Sequence, residues 1–247
     1  MSLQTKIVRG KLKLPKRLMV HGAPGVGKST FSAGAEDVLF LDPEKRTSHL
    51  DVARLEPDVW EEILPTVKEI IDTKACKVLV FSTIDFIEGM VWRHLCKRDG
   101  VSSIKDVGGG WGAGYIAAES EFKRLSNAME DARNKGISCV LEAHSSVKEF
   151  KNPTGENYDF WQISLHERVK KILTQRCDAI GFATFEDFAK KDKKAEGKAK
   201  AVTTGERVLK FDHHPAYETK RGFDLPESMP LEWSAWQAAV DKSYESK

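Results

Sequence analysis

The sequence lacks several features that would assign the protein to a class at once. It has no apolar run that approaches the roughly 18 residues of a membrane span, and its basic N-terminal stretch lacks the apolar core of a secretory signal. Positive and negative side chains nearly balance, 39 against 37, so the overall charge does not indicate a nucleic-acid partner. We therefore expect a cytoplasmic protein whose binding surfaces are local.

Cysteine is scarce, and its spacing excludes the common cysteine-based sites. The sequence contains no C-x-x-C pair, and its four cysteines lie far apart: Cys76, Cys96, Cys139 and Cys177. Several of them lie in apolar runs, which is typical of buried, reduced thiols in the cytosol.

The sequence does contain a complete G-x-x-x-x-G-K-[ST] phosphate loop. Its residues are Gly22, Ala23, Pro24, Gly25, Val26, Gly27, Lys28 and Ser29, and Thr30 continues into a predicted helix. Glycines let consecutive backbone N–H groups surround a phosphate without a Cβ in the way. Lys28 is expected to contact the β- and γ-phosphates, and the Ser29 hydroxyl to contact Mg²⁺. These residues therefore predict binding of ATP with Mg²⁺.

Apolar segments and helical periodicities alternate after this loop. The pattern predicts an α/β fold with a mostly parallel central sheet flanked by helices. Strands are predicted at 38–41, 77–81, 138–144, 179–185 and 206–211, helices at 57–73, 84–98, 115–135, 168–176 and 230–244, and a long loop at 145–165. We predict one domain over residues 1–247, with a core at about 16–188, a lysine-rich loop at 189–204 and a C-terminal hairpin and helix at 205–247.

The ends of the predicted strands offer the candidate catalytic residues. Binding groups gather at the carboxyl ends of parallel strands, and phosphoryl transfer needs a magnesium carboxylate, a group that activates water and a cation. Glu44 is a candidate base, with a surface acid that begins a helix as the alternative. His144 is a candidate sensor of the γ-phosphate, with a core histidine as the alternative.

Together these motifs resemble RecA-like phosphate-loop ATPases of the AAA/RecA-like superfamily. They are most similar to phage-type nucleotide-binding proteins related to single-strand-annealing recombinases. The matching segments run in family order at 21–29, 40–44, 82–88, 110–115, 141–144 and 219–226. The resemblance implies that Glu44 activates water, that His144 senses the γ-phosphate, and that Lys220 and Arg221 reach the nucleotide of a neighbouring subunit. A solvated turn is the alternative for the last pair.

One position departs from the family pattern. Ser82 stands directly after the third apolar strand, where the family has its magnesium carboxylate. Asp85, three residues later, is one candidate to replace it through water, and Asp42 is another. Otherwise, hydrolysis is expected to be weak.

Two segments suggest a nucleic-acid surface. Trp111 lies in a run of glycines at 108–114, and a base stacked on an aromatic ring contributes ~1–3 kcal/mol. A lysine run follows later, with Lys190, Lys191, Lys193 and Lys194. The alternatives are a flexible connector and a solvated, disordered charge run.

The leading hypothesis is an ATPase that binds single-stranded DNA and assists phage-type recombination or annealing. The implied partners are a single-strand-binding protein and further copies of the chain, with the nucleotide between protomers, in the cytoplasm of a bacterial host if the chain is phage-encoded. One alternative is a small-molecule or nucleotide kinase, although the 189–200 segment has none of the arginines expected of a kinase lid. Another is a nucleotide-dependent binding module that hydrolyses weakly.

Overall fold

A mostly parallel sheet forms the centre of the computed structural model, which describes residues 7–153, 155–190 and 200–245, with the backbone alone over 187–190 and 200–204. The strands are β1 (Arg17–Gly22), β2 (Val38–Leu41), β3 (Ala53–Leu55), β4 (Val78–Ser82), β5 (Ser138–Phe150), β6 (Tyr158–Ile163), β7 (Ala179–Lys190), β8 (Lys200–Lys210), β9 (Lys220–Arg221) and β10 (Ser228–Pro230). The helices are α1 (Lys28–Ala33), α2 (Trp60–Thr73), α3 (Ile84–Asp99), α4 (Ala113–Asn134), α5 (Glu167–Arg176) and α6 (Trp233–Glu245).

The order of the strands places β1 in the interior of the sheet. Across the described residues the order is β10-β8-β7-β1-β5-β4-β2-β3, with β6 paired to β5 and β9 paired to β7. The six strands from β7 to β3 are parallel, whereas β6, β8, β9 and β10 pair antiparallel. The predicted α/β fold with a mostly parallel sheet and flanking helices is confirmed.

Alternate side chains of the central strands enter two separate cores. Met19, Leu79 and Leu141 pack with α2, α3, α4 and α5 on one face. Their neighbours in sequence, such as Val80 and Val140, pack with α1 and α6 on the other face. Because both faces are covered, these strands carry mainly apolar side chains on both faces.

The segment 145–165 is a hairpin, and its prediction as a loop was wrong. β5 continues past His144 to Phe150, and β6 returns antiparallel, pairing from Phe150↔Tyr158 to Ser145↔Ile163. The turn residues Asn152, Pro153 and Gly155 lie at the tip of this hairpin, and the strands beside them are largely exposed and mix charged with aromatic side chains. β7 and β8 form a second hairpin, whose strand ends lie inside the segment 189–204 that composition predicted as a loop.

The two hairpins extend on either side of the end of β1. β5 and β7 are the direct neighbours of β1, and Gly22 pairs with His144 on one side and Ala183 on the other. Both neighbours continue beyond these pairs, to Phe150 and Lys190. The phosphate loop therefore begins between two projecting arms. Among the described residues, no helix combines the length and the apolar character needed to cross a membrane.

The cysteines agree with the sequence interpretation. All four are free thiols; three are buried and Cys96 is half-buried. Burial raises the pKa of the Cys139 and Cys177 thiols to about 12, so these thiols are protonated at neutral pH.

Candidate active site

The phosphate loop has the tight backbone that its glycines predict. Gly25 and Gly27 have φ angles of 77° and 105°, in the left-handed region that side chains with a Cβ rarely adopt. Gly22 packs against the carbonyl of Ala183 on β7 without room for a Cβ. The loop thus turns sharply from β1 into α1, whose first residue is Lys28.

Lys28 folds back over this loop. Its Nζ donates to the carbonyl oxygens of Gly22 and Ala23, each at 3.2 Å. Burial lowers the pKa of the Lys28 ammonium, while the nearby charges of Glu142, Asp85 and Glu44 act in the opposite direction. Three carboxylates therefore share the surroundings of one buried lysine at the carboxyl edge of the sheet.

Glu142 on β5 lies directly behind the loop and is fully buried. Its Oε2 accepts hydrogen bonds from Ser29 Oγ at 2.7 Å and Ser82 Oγ at 2.8 Å, and its Oε1 accepts one from Ser32 Oγ at 2.7 Å. Burial raises the pKa of the Glu142 carboxyl, and the three hydroxyls and Lys28 counteract that shift. All three hydroxyls donate, which is the arrangement that suits an ionised acceptor.

Asp85 in the first turn of α3 and His144 on β5 form a hydrogen-bonded pair. The backbone N–H of His144 donates to Asp85 Oδ1 at 2.9 Å, and His144 Nδ1 lies 2.8 Å from Asp85 Oδ2. Burial alone would raise the pKa of Asp85, but these hydrogen bonds hold it below its ordinary value. The carboxylate therefore fixes the orientation of the imidazole ring.

Glu44 follows β2 at the same edge and is only partly exposed. Its Oε1 accepts from Arg46 Nε at 3.1 Å, and its Oε2 lies 3.4 Å from Thr83 Oγ1. Thr83 is the residue between β4 and α3. The geometry thus places Glu44 beside the end of β4, within the field of Lys28.

The chain matches a known family over most of its length. A family model for an AAA domain covers residues 14–223. The chain belongs to this AAA domain family. A search of curated proteins finds no match. The chain is therefore a nucleotide-binding, phosphate-loop protein of an AAA-type ATPase family, and its phosphate loop is the segment described above.

Two of the predicted site residues, Asp42 and Lys220, form hydrogen bonds away from the phosphate loop. Asp42 is buried, and its Oδ2 accepts from the backbone N–H and the hydroxyl of Thr47 at 2.8 and 2.6 Å, which closes the turn after β2. Lys220 donates to the carbonyls of Thr174 and Cys177 at the C-terminus of α5, at 2.9 and 2.7 Å.

The register of β9 separates Lys220 and Arg221 from the phosphate loop of the same chain. They pair with Ile180 and Ala179 near the start of β7, whereas the loop begins beside Ala183. At about 3.3 Å per residue this is a separation of roughly 10 Å or more along the strand. The AAA domain therefore does not bring this pair to its own Lys28.

The candidate nucleic-acid residues are placed unevenly. Trp111 is fully exposed and has a left-handed backbone with φ 53°. Its loop is ordered by hydrogen bonds, including Gly108 N–H to Asp99 Oδ2 at 2.8 Å, and includes a short 3₁₀ turn at Val107–Gly109. Lys190 ends β7, and its side chain lies outside the described atoms. Lys191, Lys193 and Lys194 lie outside the described residues.

Two residues at the AAA domain's site escaped sequence reasoning. Glu142 is charged within the apolar run of a central strand, a signal that was available but unused. Arg207 on β8 gave no signal: a Cβ on Gly27 would lie 2.9 Å from its Nη1, so its guanidinium covers the loop. Within the described residues this guanidinium has no ion-pair partner, and it also lies over the Phe185 ring, 5.7 Å from its centroid.

The oxygen-rich donor set at Ser29 suits Mg²⁺. Within the described part of the chain, no three histidine, cysteine, aspartate or glutamate side chains form a preformed metal cage. Magnesium is commonly held by one or two protein oxygens, phosphate oxygens and waters rather than by such a cage. A hydroxyl in contact with a buried carboxylate at the phosphate loop therefore fits the metal.

Proposed function

We propose that this chain binds ATP with Mg²⁺ at the phosphate loop and hydrolyses it. The observation that carries the proposal is the set of contacts around the phosphate loop: Lys28 lies over the loop carbonyls, and the Ser29 hydroxyl contacts the buried Glu142. Glu44 lies near Thr83 at the end of β4, on the same edge of the sheet. A cation for the phosphates, an oxygen ligand for the metal and a candidate base then lie together, as phosphoryl transfer requires.

In this mechanism the loop backbone and Lys28 bind the β- and γ-phosphates, and Ser29 contributes its hydroxyl oxygen to the metal. Bound Mg²⁺ supplies positive charge that offsets the charge developing on the phosphate oxygens. The oxygen of a water molecule bonds to the γ-phosphorus as the bond between that phosphorus and the β–γ bridging oxygen breaks, so ADP and phosphate leave. Glu44 accepts the proton that the attacking water loses. His144, held through Nδ1 by Asp85, directs its other ring nitrogen to a γ-phosphate oxygen, and Arg207 adds a cation in the same chain.

Phosphate release and binding of a fluorescent ATP analogue test this proposal. Lys28→Ala is expected to abolish binding because it removes the cation within the loop. Glu44→Gln is expected to keep binding and to lower turnover about 100-fold, the lower end of the contribution of a general base. Glu36→Gln, an acid on the surface that pairs with Lys77, is the matched control. Undiminished turnover in Glu44→Gln would contradict the assignment of the base.

We propose also that the protein binds single-stranded DNA through the loop of Trp111 and the β5–β6 hairpin. Support comes from the fully exposed Trp111 and from exposed apolar side chains on the β5–β6 hairpin, Val147, Phe150 and Trp161, beside the exposed Lys148. Aromatic rings stack on bases of any sequence, and lysines add a salt-dependent contribution.

Fluorescence anisotropy with a labelled oligonucleotide, with and without ATP, tests DNA binding. Trp111→Ala is expected to weaken binding by about 1 to 3 kcal/mol, the contribution of one base stacked on the ring. Ile116→Ala, an exposed apolar change on α4, is the control. No binding at low salt in either condition would overturn the proposal.

Three further proposals rest on the family resemblance of the motifs. They are a role in recombination or annealing, a single-strand-binding protein as partner, and an assembly with nucleotide between protomers. A strand-annealing assay and light scattering with and without nucleotide test them. In the assembly, Lys220 would have to leave the carbonyls of α5 to reach a neighbour's nucleotide. An unchanged monomer with ATP would rule out the assembly and with it that role.

A further inference from the structure

We infer that Glu142 on β5 supplies the carboxylate that partners the metal-binding hydroxyl, and that it replaces the one missing at Ser82 on β4. This inference rests on the proposed function. It gives Ser29 a specific carboxylate partner, for which the sequence pattern had offered Asp85 and Asp42 as candidates.

The contact between Ser29 and Glu142 is the one that such a site needs. A hydroxyl that binds a metal through its oxygen retains its proton, and the proton requires an acceptor. Glu142 Oε2 accepts it at 2.7 Å. Ser32 donates to the other carboxylate oxygen, Oε1, at 2.7 Å, and Oε2 is the oxygen that contacts Ser29. A carboxylate in this position can also accept hydrogen bonds from metal-bound water.

Ser82 is the residue that this arrangement favours at the end of β4. Ser82 and Glu142 are register partners on adjacent parallel strands, and Ser82 Oγ donates to Oε2 at 2.8 Å. A carboxylate at position 82 would place two buried negative charges in contact, which is strongly unfavourable. The negative charge has therefore moved one strand across the sheet, and a donor has taken its place.

The other carboxylates at this edge have donors other than Ser29. Asp85 is held by the backbone and ring of His144. Asp42 is held through Oδ2 by Thr47, and its Oδ1 is buried with no hydrogen-bond partner among the described residues. Glu44 lies beside Thr83 and Arg46. Among the described residues, Glu142 is the carboxylate that Ser29 contacts.

The affinity of the protein for a fluorescent ATP analogue, measured in excess Mg²⁺ and again in EDTA, tests this inference. The ratio of the two dissociation constants reports the gain in affinity from the metal. In Glu142→Gln we expect the affinity in EDTA to be kept and the gain to fall about 10-fold or more, as for loss of a group that supports a metal ligand. Circular dichroism verifies folding.

Ser32→Ala is the matched control, because Ser32 donates to the same carboxylate at the same distance but follows Ser29 by one helical turn. It should retain the gain from Mg²⁺. Equal losses in Ser32→Ala and Glu142→Gln would identify Glu142 as a structural link between α1 and the sheet and overturn the inference. A full gain in Glu142→Gln would also overturn it.

Two further variants decide the case if Glu142→Gln does not fold. Ser82→Ala leaves the Glu142 carboxylate in place and should keep the gain within about twofold, so loss of the gain would assign the site to Ser82. The double variant Ser82→Asp, Glu142→Gln should recover the gain by returning the carboxylate to β4. Absence of nucleotide binding by the unmodified protein in both conditions would instead overturn the proposed function.

Discussion

β4 and the part of β5 beside its end carry different side chains at the edge of the sheet near the phosphate loop. Both strands are apolar until they reach the edge beside the phosphate loop, where β4 ends in Ser82 and β5 carries Glu142 as its register partner. The serine donates and the glutamate accepts. The phosphate loop therefore requires a carboxylate at this edge of the sheet. Either of the two adjacent strands can supply it, because paired residues on adjacent strands point to the same face.

The largest expected effect follows from placing acids on both strands. Ser82→Asp brings a second carboxylate to within hydrogen-bond distance of Glu142, and an uncompensated buried charge costs about 3–5 kcal/mol. We expect the free energy of unfolding, measured in urea, to fall by about that amount. Addition of Glu142→Gln should recover most of the loss. A stable single variant would show that the two strand ends are not coupled.

The end of β1 provides a contrast with Glu142, because its buried titratable group, His21, is neutral. Burial lowers the pKa of His21 from 6.5 to about 4, against a hydrogen bond from its ring to the Glu218 carbonyl. The unfolded chain therefore binds the proton first, and stability falls as the pH drops from about 6.5 to about 4. The loss amounts to about 3 kcal/mol. Urea unfolding at several pH values measures it.

Asparagine variants isolate the contribution of His21. His21→Asn should remove the loss between pH 6.5 and 4, because the new side chain does not titrate in that range. His213→Asn, at an exposed histidine, should leave the loss intact. Parallel pH curves for His21→Asn and the unmodified protein would refute this account of β1.

Asp85 links the two strand ends, since it begins α3 after β4 and holds His144 on β5. Asp85→Asn replaces a charged acceptor of two hydrogen bonds, and we expect a loss of about 2 kcal/mol in stability. Turnover should fall as well, because the His144 ring loses its orientation, while nucleotide affinity in EDTA is kept. If affinity in EDTA falls with turnover, Asp85 instead supports the shape of the loop.

The smallest effect is expected for Ser82→Ala. It removes one of the three donors to Glu142 and leaves the other two, so stability should decrease by about 1 kcal/mol. Thermal unfolding and urea unfolding measure the change. If Ser82→Ala loses as much stability as Ser82→Asp, the loss in Ser82→Asp comes from the missing Ser82 hydroxyl and not from charge repulsion.

The sequence predicted the central elements because their signals are local. The phosphate loop, the apolar strands and the periodic helices each depend on residues that are near in sequence. The contact of Glu142 with Ser29 depends on β5 lying between β1 and β4. The local sequence of neither residue indicates that order of strands. Arg207 reaches Gly27 from a strand far along the chain. The β5–β6 hairpin was missed because its exposed strands mix charged and aromatic residues and do not form the continuous apolar run that identified the buried strands.

A structure with Mg²⁺ and a non-hydrolysable ATP analogue tests the central claim most directly. The measured quantity is the position of the carboxylate nearest to the Ser29 hydroxyl and to the waters of the metal. The account predicts that this carboxylate is Glu142, with Asp85 still on His144 and Asp42 still on Thr47. A structure in which Asp85 or Asp42 takes that position while Glu142 turns away would contradict it.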